Sequence, residues 1–335
     1  MNRLKPYLSA LVALVCVGAA GVVAAADRFY FLGYGVIQVI DGDSDAIVAD
    51  IPARGAMREA GVSADRRFLY VTASRHLVHK VDLAASRVVA TTEVSGDGWD
   101  RLMFGFTLAP DGRSAYGGFM SRRAEAGGVV IGKPTVAQFE LETGKQVRSV
   151  EVPFGVAHLM SVDGGRMIYA FGQDIYKIDT TGAELRIVET VPMFDKGMNV
   201  FPLWTYETGG VTSLNYYTEK HMGILLVNLK SGTIDDVVIK GEPAMAYSVI
   251  VAPDRKKAYA VMDDLMVIDL VRRKWGPSVP LHEGTCYGIN LSTDGRKVYV
   301  GGAGSTVTVF DTRTLKPLKV LQMASDGMDL HRIRF

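Results

Sequence analysis

His76 and His79 stand three residues apart, a spacing at which two imidazoles can share a metal ion on a helix. They fall on an alternating stretch, however, and a strand points residues three apart to opposite faces, so the pair cannot hold one ion together. Asp41-Gly42-Asp43-Ser44-Asp45 starts like a calcium loop, but Ala46 stands where that loop needs glycine and Pro52 where it needs a bidentate Glu. It reads as a polar hairpin turn. Asp235-Asp236 and Asp263-Asp264 pair carboxylates at turns between strands, where charge is solvated. The sequence contains no Cys-x-x-Cys-His for c-type haem, no phosphate-binding glycine loop and no Gly-x-Ser-x-Gly elbow. His158 stands apart from the other five histidines because it lies near the start of a strand that the repeat described below aims at a central axis. A histidine satisfied by structural hydrogen bonds is the simpler reading of it.

The elements that must position such residues come in repeats. An Asp turn recurs as Asp65, Asp111-Gly112, Asp163-Gly164, Asp254 and Asp294-Gly295. Asp bonds its own backbone two residues on and Gly accepts positive φ, so each marks a tight turn. A strand follows each turn (Leu69-Tyr70-Val71, Ala115-Tyr116, Ile168-Tyr169, Ala258-Tyr259, Val298-Tyr299-Val300). A third strand then ends in another acidic turn, as in Val81-Asp82, Ile178-Asp179, Ile268-Asp269 and Phe310-Asp311. Each unit is one four-stranded antiparallel blade, and a period near 40 residues means a propeller. Between Asp163 and Asp254 there is room for two units; the second, 199–239, replaces the Asp turn by Tyr206-Glu207-Thr208-Gly209. These make six units. A seventh is split, its later strands over 29–51 and its first over 329–335. The expectation is an all-β, seven-bladed β-propeller over residues 27–335, closed by pairing of the N- and C-terminal strands.

Residues 1–26 are a separate device. Arg3 and Lys5, the apolar run Leu8–Val23 and Ala24-Ala25-Ala26 read as a secretory signal peptide, which places the mature chain in the periplasm; an uncleaved anchor is the other reading. Removing Arg3 and Lys5 takes the formal charge from +1 to about −1, so nothing marks a nucleic-acid partner. Cys286 is the only cysteine beyond the signal, so no intrachain disulfide is available and strand packing must carry the fold. It reads as a small buried hydrophobe.

First strands line the axis of a propeller. Counting seven residues back from each turn aspartate gives Arg58, Phe104, Val156, Tyr247 and Tyr287, so three aromatics and an arginine should surround one mouth. These residue types are enriched at protein interfaces, although they could equally plug the channel. Two insertions, Ser95–Gly105 with Trp99 and Met120–Pro134, stretch the first two aspartate spacings to 46 and 52 against 40 for the last. The Gly-rich second one reads as a loop. Asn199–Glu207 is aromatic-rich in the one irregular unit, and its Trp204 and Tyr206 are core or contact residues.

LMFGFTLAPDG (102–112), PTVAQFELETGK (134–145), FGQDIYKIDTTG (171–182), NVFPLWTYETGG (199–210) and CYGINLSTDGRKVYVGGAGSTVTVFDTRTLK (286–316) together resemble, in order and spacing, the beta subunit of quinohemoprotein amine dehydrogenase, a YVTN-type propeller. The resemblance covers roughly residues 60–335 and is weakest before 60 and over 120–134. It implies a non-catalytic propeller subunit of a periplasmic heterotrimer that oxidises primary amines to aldehyde and ammonia. A dihaem cytochrome c alpha subunit would carry electrons, and a small gamma subunit would carry cysteine tryptophylquinone. This chain would hold neither cofactor and no catalytic residue; it would cradle the gamma subunit and help line its substrate pocket. Arg58, Trp99, Phe104, His158, Trp204, Tyr247 and Tyr287 are the candidate interface or pocket-lining residues. A solitary binding or scaffold propeller, or the heavy subunit of a tryptophan tryptophylquinone amine dehydrogenase, are the alternatives. A metal-dependent lactonase would need acidic ligands where this ring is aromatic.

Overall fold

Residues 27–335, without 97 and 285, are described by the computed structural model and form twenty-seven strands. The signal peptide read over residues 1–26 lies outside them. Numbered along the chain, the first sheet takes β1 (Asp27–Asp41), β2 (Ala46–Val62), β3 (Phe68–Ala73), β4 (Leu77–Asp82) and β5 (Arg87–Glu93). The second takes β6 (Asp100–Leu108), β7 (Ser114–Glu125), β8 (Gly128–Ile131), β9 (Thr135–Glu140) and β10 (Gln146–Glu151); the third β11 (His158–Val162), β12 (Met167–Phe171), β13 (Ile175–Asp179) and β14 (Arg186–Val191). The fourth takes β15 (Asn199–Thr208), β16 (Val211–Tyr217), β17 (Met222–Asn228) and β18 (Ile234–Val238). The fifth is β19 (Ser248–Val251), β20 (Lys257–Val261), β21 (Asp264–Asp269) and β22 (Lys274–Pro280); the sixth is β23 (Gly288–Leu291), β24 (Lys297–Gly301), β25 (Thr306–Asp311) and β26 (Pro317–Gln322). The last strand, β27 (Gly327–Arg334), returns to the first sheet, whose order is β27-β1-β2-β3-β4-β5.

The strands group into six sheets, so the propeller is six-bladed, and this corrects the expectation of seven four-stranded blades. The reason is the continuity of β2. Its start pairs with β1 (Ile51 opposite Ile37) and its end with β3 (Val62 opposite Leu69). The unit read as a separate split blade therefore shares a strand with the next one and merges with it into a single six-stranded sheet. The two ends of the chain do pair, from Asp27 opposite Arg334 to Gly33 opposite Gly327.

Second and third strands are buried along nearly their whole length because each sheet is covered on both faces by its neighbours, whereas outer strands such as β5 and β14 are mostly exposed. The turns follow the sequence chemistry. Asp111 accepts the Arg113 and Ser114 N–H groups, and Asp65, Asp254 and Asp294 each accept an N–H two residues on. Among the described residues no helix is long and apolar enough to cross a membrane.

Candidate functional site: an axial channel and its aromatic mouth

Three irregularities fall at the same end of the inner strands. β2 bulges between Met57 and Ala60, re-aiming Arg58 and Glu59. β6 bulges at Gly105, where φ is +79° and a Cβ would collide with the His158 backbone. In β15, Phe201 faces Asn215 but Tyr206 faces Ser213, so five positions oppose two and the surplus pushes Trp204 and Thr205 out of the ladder. Bulges concentrate where a side chain has to be redirected, and here Glu59, Trp204 and Thr205 are redirected toward the axis.

The axis holds a cavity of about 790 Å³ lined by Glu59, His158, Thr205, Tyr206, Asp329 and His331, among others. The Tyr206 hydroxyl donates to Asp329 Oδ1 at 2.8 Å, and the Leu330 N–H donates to the same oxygen at 2.7 Å. Thr205 Oγ1 and His158 Nε2 are hydrogen-bonded at 3.0 Å. The Thr208 hydroxyl also lines the cavity and has no partner. Burial raises the Glu59 carboxyl to about 7, against the pull of Arg58, and raises Asp329 to about 6, against the bond from Tyr206. The same desolvation lowers His158 and His331 to about 4. At neutral pH both imidazoles are neutral, and the charge along the cavity comes from its carboxyls and from Arg66, Arg332 and Arg334.

Trp204, Tyr247 and Tyr287 close the mouth. Trp204 stacks on Tyr287 at 4.3 Å with 3° between the rings, and Tyr247 meets both edge-on at 5.9 and 4.9 Å. Phe201 completes the cluster, 6.0 Å from Tyr247. The Trp204 indole N–H donates to Met328 O at 2.8 Å, which fixes the ring against the start of β27. Of the seven candidates from sequence, these three meet directly, and His158 lines the cavity below Trp204. Arg58 lies beside Glu59, close enough to pull its carboxyl down. Phe104 lies under Arg75, whose guanidinium carbon is 3.9 Å from the ring centre. Trp99 is elsewhere, under Arg123 at the base of the β7–β8 hairpin.

Glu59, Asp329, His331, Arg75 and Phe201 went unread in the sequence. Asp329 and His331 are two apart on a strand, the spacing of one face, and that signal was available once 329–335 was taken as an inner strand. Chemically the channel can bind polar groups and hold protons. Cys286 donates its thiol to Glu283 O at 3.2 Å, and burial holds that thiol up at about 12, far from a thiolate nucleophile. Among the described residues no group of three or more His, Cys, Asp and Glu is placed to hold a metal ion.

No family model matches the chain, and no curated protein matches it. Solved structures do. The dihydro-heme d1 dehydrogenase NirN, in complex with DHE, aligns at TM-score 0.57 and 14% identity over 92% of this chain and 75% of that one. Hydrazine synthase of Kuenenia stuttgartiensis aligns at 0.57 and 15%, over 87% and 90%. Apo AztD from Citrobacter koseri aligns at 0.57 and 14%, over 92% and 98%. At these identities the likeness is one of fold. The chain is a β-propeller.

Proposed function

We propose that this chain is a non-catalytic propeller subunit of a periplasmic quinohemoprotein amine dehydrogenase complex, docking the quinone-bearing gamma subunit on the face that carries the aromatic mouth and working beside a dihaem cytochrome c alpha subunit. The observation that carries the reading is the character of that face. Besides Trp204, Tyr247 and Tyr287, its loops expose Tyr34, Phe154, Phe194 and Met245, and the β7–β8 hairpin exposes Val129 and Ile131. Apolar side chains gathered on one face mark a protein contact. The ordered set of motifs from 102 to 316 supports the choice of partner.

The chain's own residues do not fit a covalent quinone or haem. Trp204 is packed in a ring stack with its N–H bonded to Met328 O, and Cys286, the one thiol among the described residues, is buried on Glu283 O. The partners would supply amine oxidation and electron transfer; this chain would supply shape, exclusion of water and a channel below the contact.

Purification of the chain from native periplasm tests the reading. Co-elution with a haem-staining polypeptide and a small quinone-staining one is expected, as is amine-dependent dye reduction by the complex. A redox-silent monomer, unchanged by removal of neighbouring genes, would replace the proposal with a solitary binding propeller.

A further inference from the structure

We infer that the same face carries a carboxylate-recognition patch, formed by Arg58 and Arg75, that takes an acidic segment of a polypeptide partner. The inference rests on the loop face being a docking surface, and it adds the chemistry of what docks.

The two arginines come from adjoining pieces of the first sheet. Arg58 lies at the bulge of β2, and Arg75 sits in the β3–β4 turn, where the Ser74 N–H donates to Ala56 O at 2.9 Å. A Cβ at Gly55 would overlap the Ser74 hydroxyl, so glycine lets β2 close on the turn that carries Arg75. Ser74 and Arg75 both hold positive φ, 49° and 64°, in a turn anchored by the Met103 N–H on Arg75 O at 2.6 Å. The turn stays in a conformation that side chains disfavour, and it lays the Arg75 guanidinium flat on Phe104.

Pairing distinguishes these cations from their neighbours on the same face. Arg122 is matched by Asp100, Arg123 by Glu125 and Lys133 by Glu151. Among the described residues, Arg58 and Arg75 make no ion pair. Glu59, whose field reaches Arg58 and Arg75, and Asp329, which also feels Arg58, both line the channel, and burial together with the charge of Arg58 lowers the affinity of Arg75 for its proton. Like charges held side by side with no direct ion pair cost stability, and a guanidinium fork is the side chain best shaped to receive a carboxylate.

The surroundings favour a polypeptide over a free anion. Tyr34, 69% exposed, pairs with Ala56 on one flank of the patch. On the other flank, Phe154, 72% exposed, precedes Val156, which packs against Gly118, the ladder partner of Phe104. Charge bordered by exposed aromatics is the composition of an interface.

The test uses the purified 27–335 chain and a synthetic peptide alternating Glu and Phe, with a Lys-and-Phe peptide and inorganic phosphate as comparisons. The Glu peptide should bind at least about tenfold more tightly than the Lys peptide at low salt, and the difference should shrink at roughly 0.5 M salt. Arg58→Glu with Arg75→Glu should reverse the preference, and Arg58→Gln with Arg75→Gln should abolish it, both with melting temperatures near the parent's. Equal binding of the two peptides, or a parent-like preference in the Gln variant, overturns the inference; phosphate competing as well as the Glu peptide overturns it in favour of a small-anion site. Because the titration uses no native partner, its failure is separable from the isolation of a lone, redox-silent monomer.

Discussion

Glu59 and Asp329 keep protons that carboxyls in water release, because the channel withdraws solvent from them faster than Arg58 and Tyr206 restore it. For Glu59 the ordinary value is 4.5 and the folded one about 7, so between those limits the folded state holds a proton that the unfolded chain has lost. Stability from this group is full below about 4.5 and declines as pH rises toward 7. His158 and His331 run the other way. Neutral in the fold down to about 4 and protonated below 6.5 when unfolded, they add stability as pH rises through that interval. The parent's profile should therefore be shallow, and Glu59→Gln should expose the opposition. Its melting temperature relative to the parent should climb by roughly 2–4 °C from pH 4.5 to 7, read by circular dichroism. A constant difference would mean that Glu59 ionises as it does in water. His158 was legible as an axial residue because it opens the strand that runs into the Asp163-Gly164 turn. Glu59 was not, because counting back from Asp65 assumes a regular ladder, and the bulge between Met57 and Ala60 breaks it.

Among the elements, β15 and the β7–β8 hairpin depart furthest from the repeat. The missing Asp-Gly turn before Gly210 announced β15 as irregular, and its surplus residues are what carry Trp204 to Tyr287. The hairpin was hidden. Gly127 and Gly128 suggest a loop, yet Arg122–Glu125 and Ile131–Gly128 pair residue for residue, and Gly128 at φ +140° makes the tight reversal that allows it. Since β8 is exposed along its length and pairs only with β7, replacing residues 123–131 by a short Gly-Ser turn should leave the melting temperature within roughly 2 °C. The same change should weaken co-elution with the partner polypeptides; a large loss of stability would show that the hairpin braces the second sheet. Blade number was the other misreading. Turn spacing separates units in sequence, but it does not reveal that β2 runs unbroken from one into the next.

For the whole molecule, the closing contact joins residues some three hundred positions apart. Leu330 and Ile333 are buried in it, Asn290 donates to Leu330 O at 3.1 Å, and Asp27 accepts the Thr293 N–H at 2.7 Å and its hydroxyl at 2.6 Å. Removing residues 329–335 discards both apolar anchors, each worth about 2–5 kcal/mol, and unpairs the start of β1; together these rival the whole margin of a typical domain. The truncated chain should lose its cooperative thermal transition or fail to accumulate in soluble form, and an unchanged melting curve would refute this account of closure. The pairing was legible in the two unmatched ends of the repeat, because a ring of strands leaves no other partner for them.

That same pairing sets an order of events on a newly made chain. The segment from Asp27 to Gly33 emerges first and its partner strand last, so the earliest strand waits with an open edge while every other sheet is being synthesised. Loop closure over such a distance is slow, and an open edge is where chains join each other. Productive folding therefore begins in the interior sheets, with the ring completed only once β27 is free to pair. An extension fused directly to Phe335 would reach the forming ring at its final step.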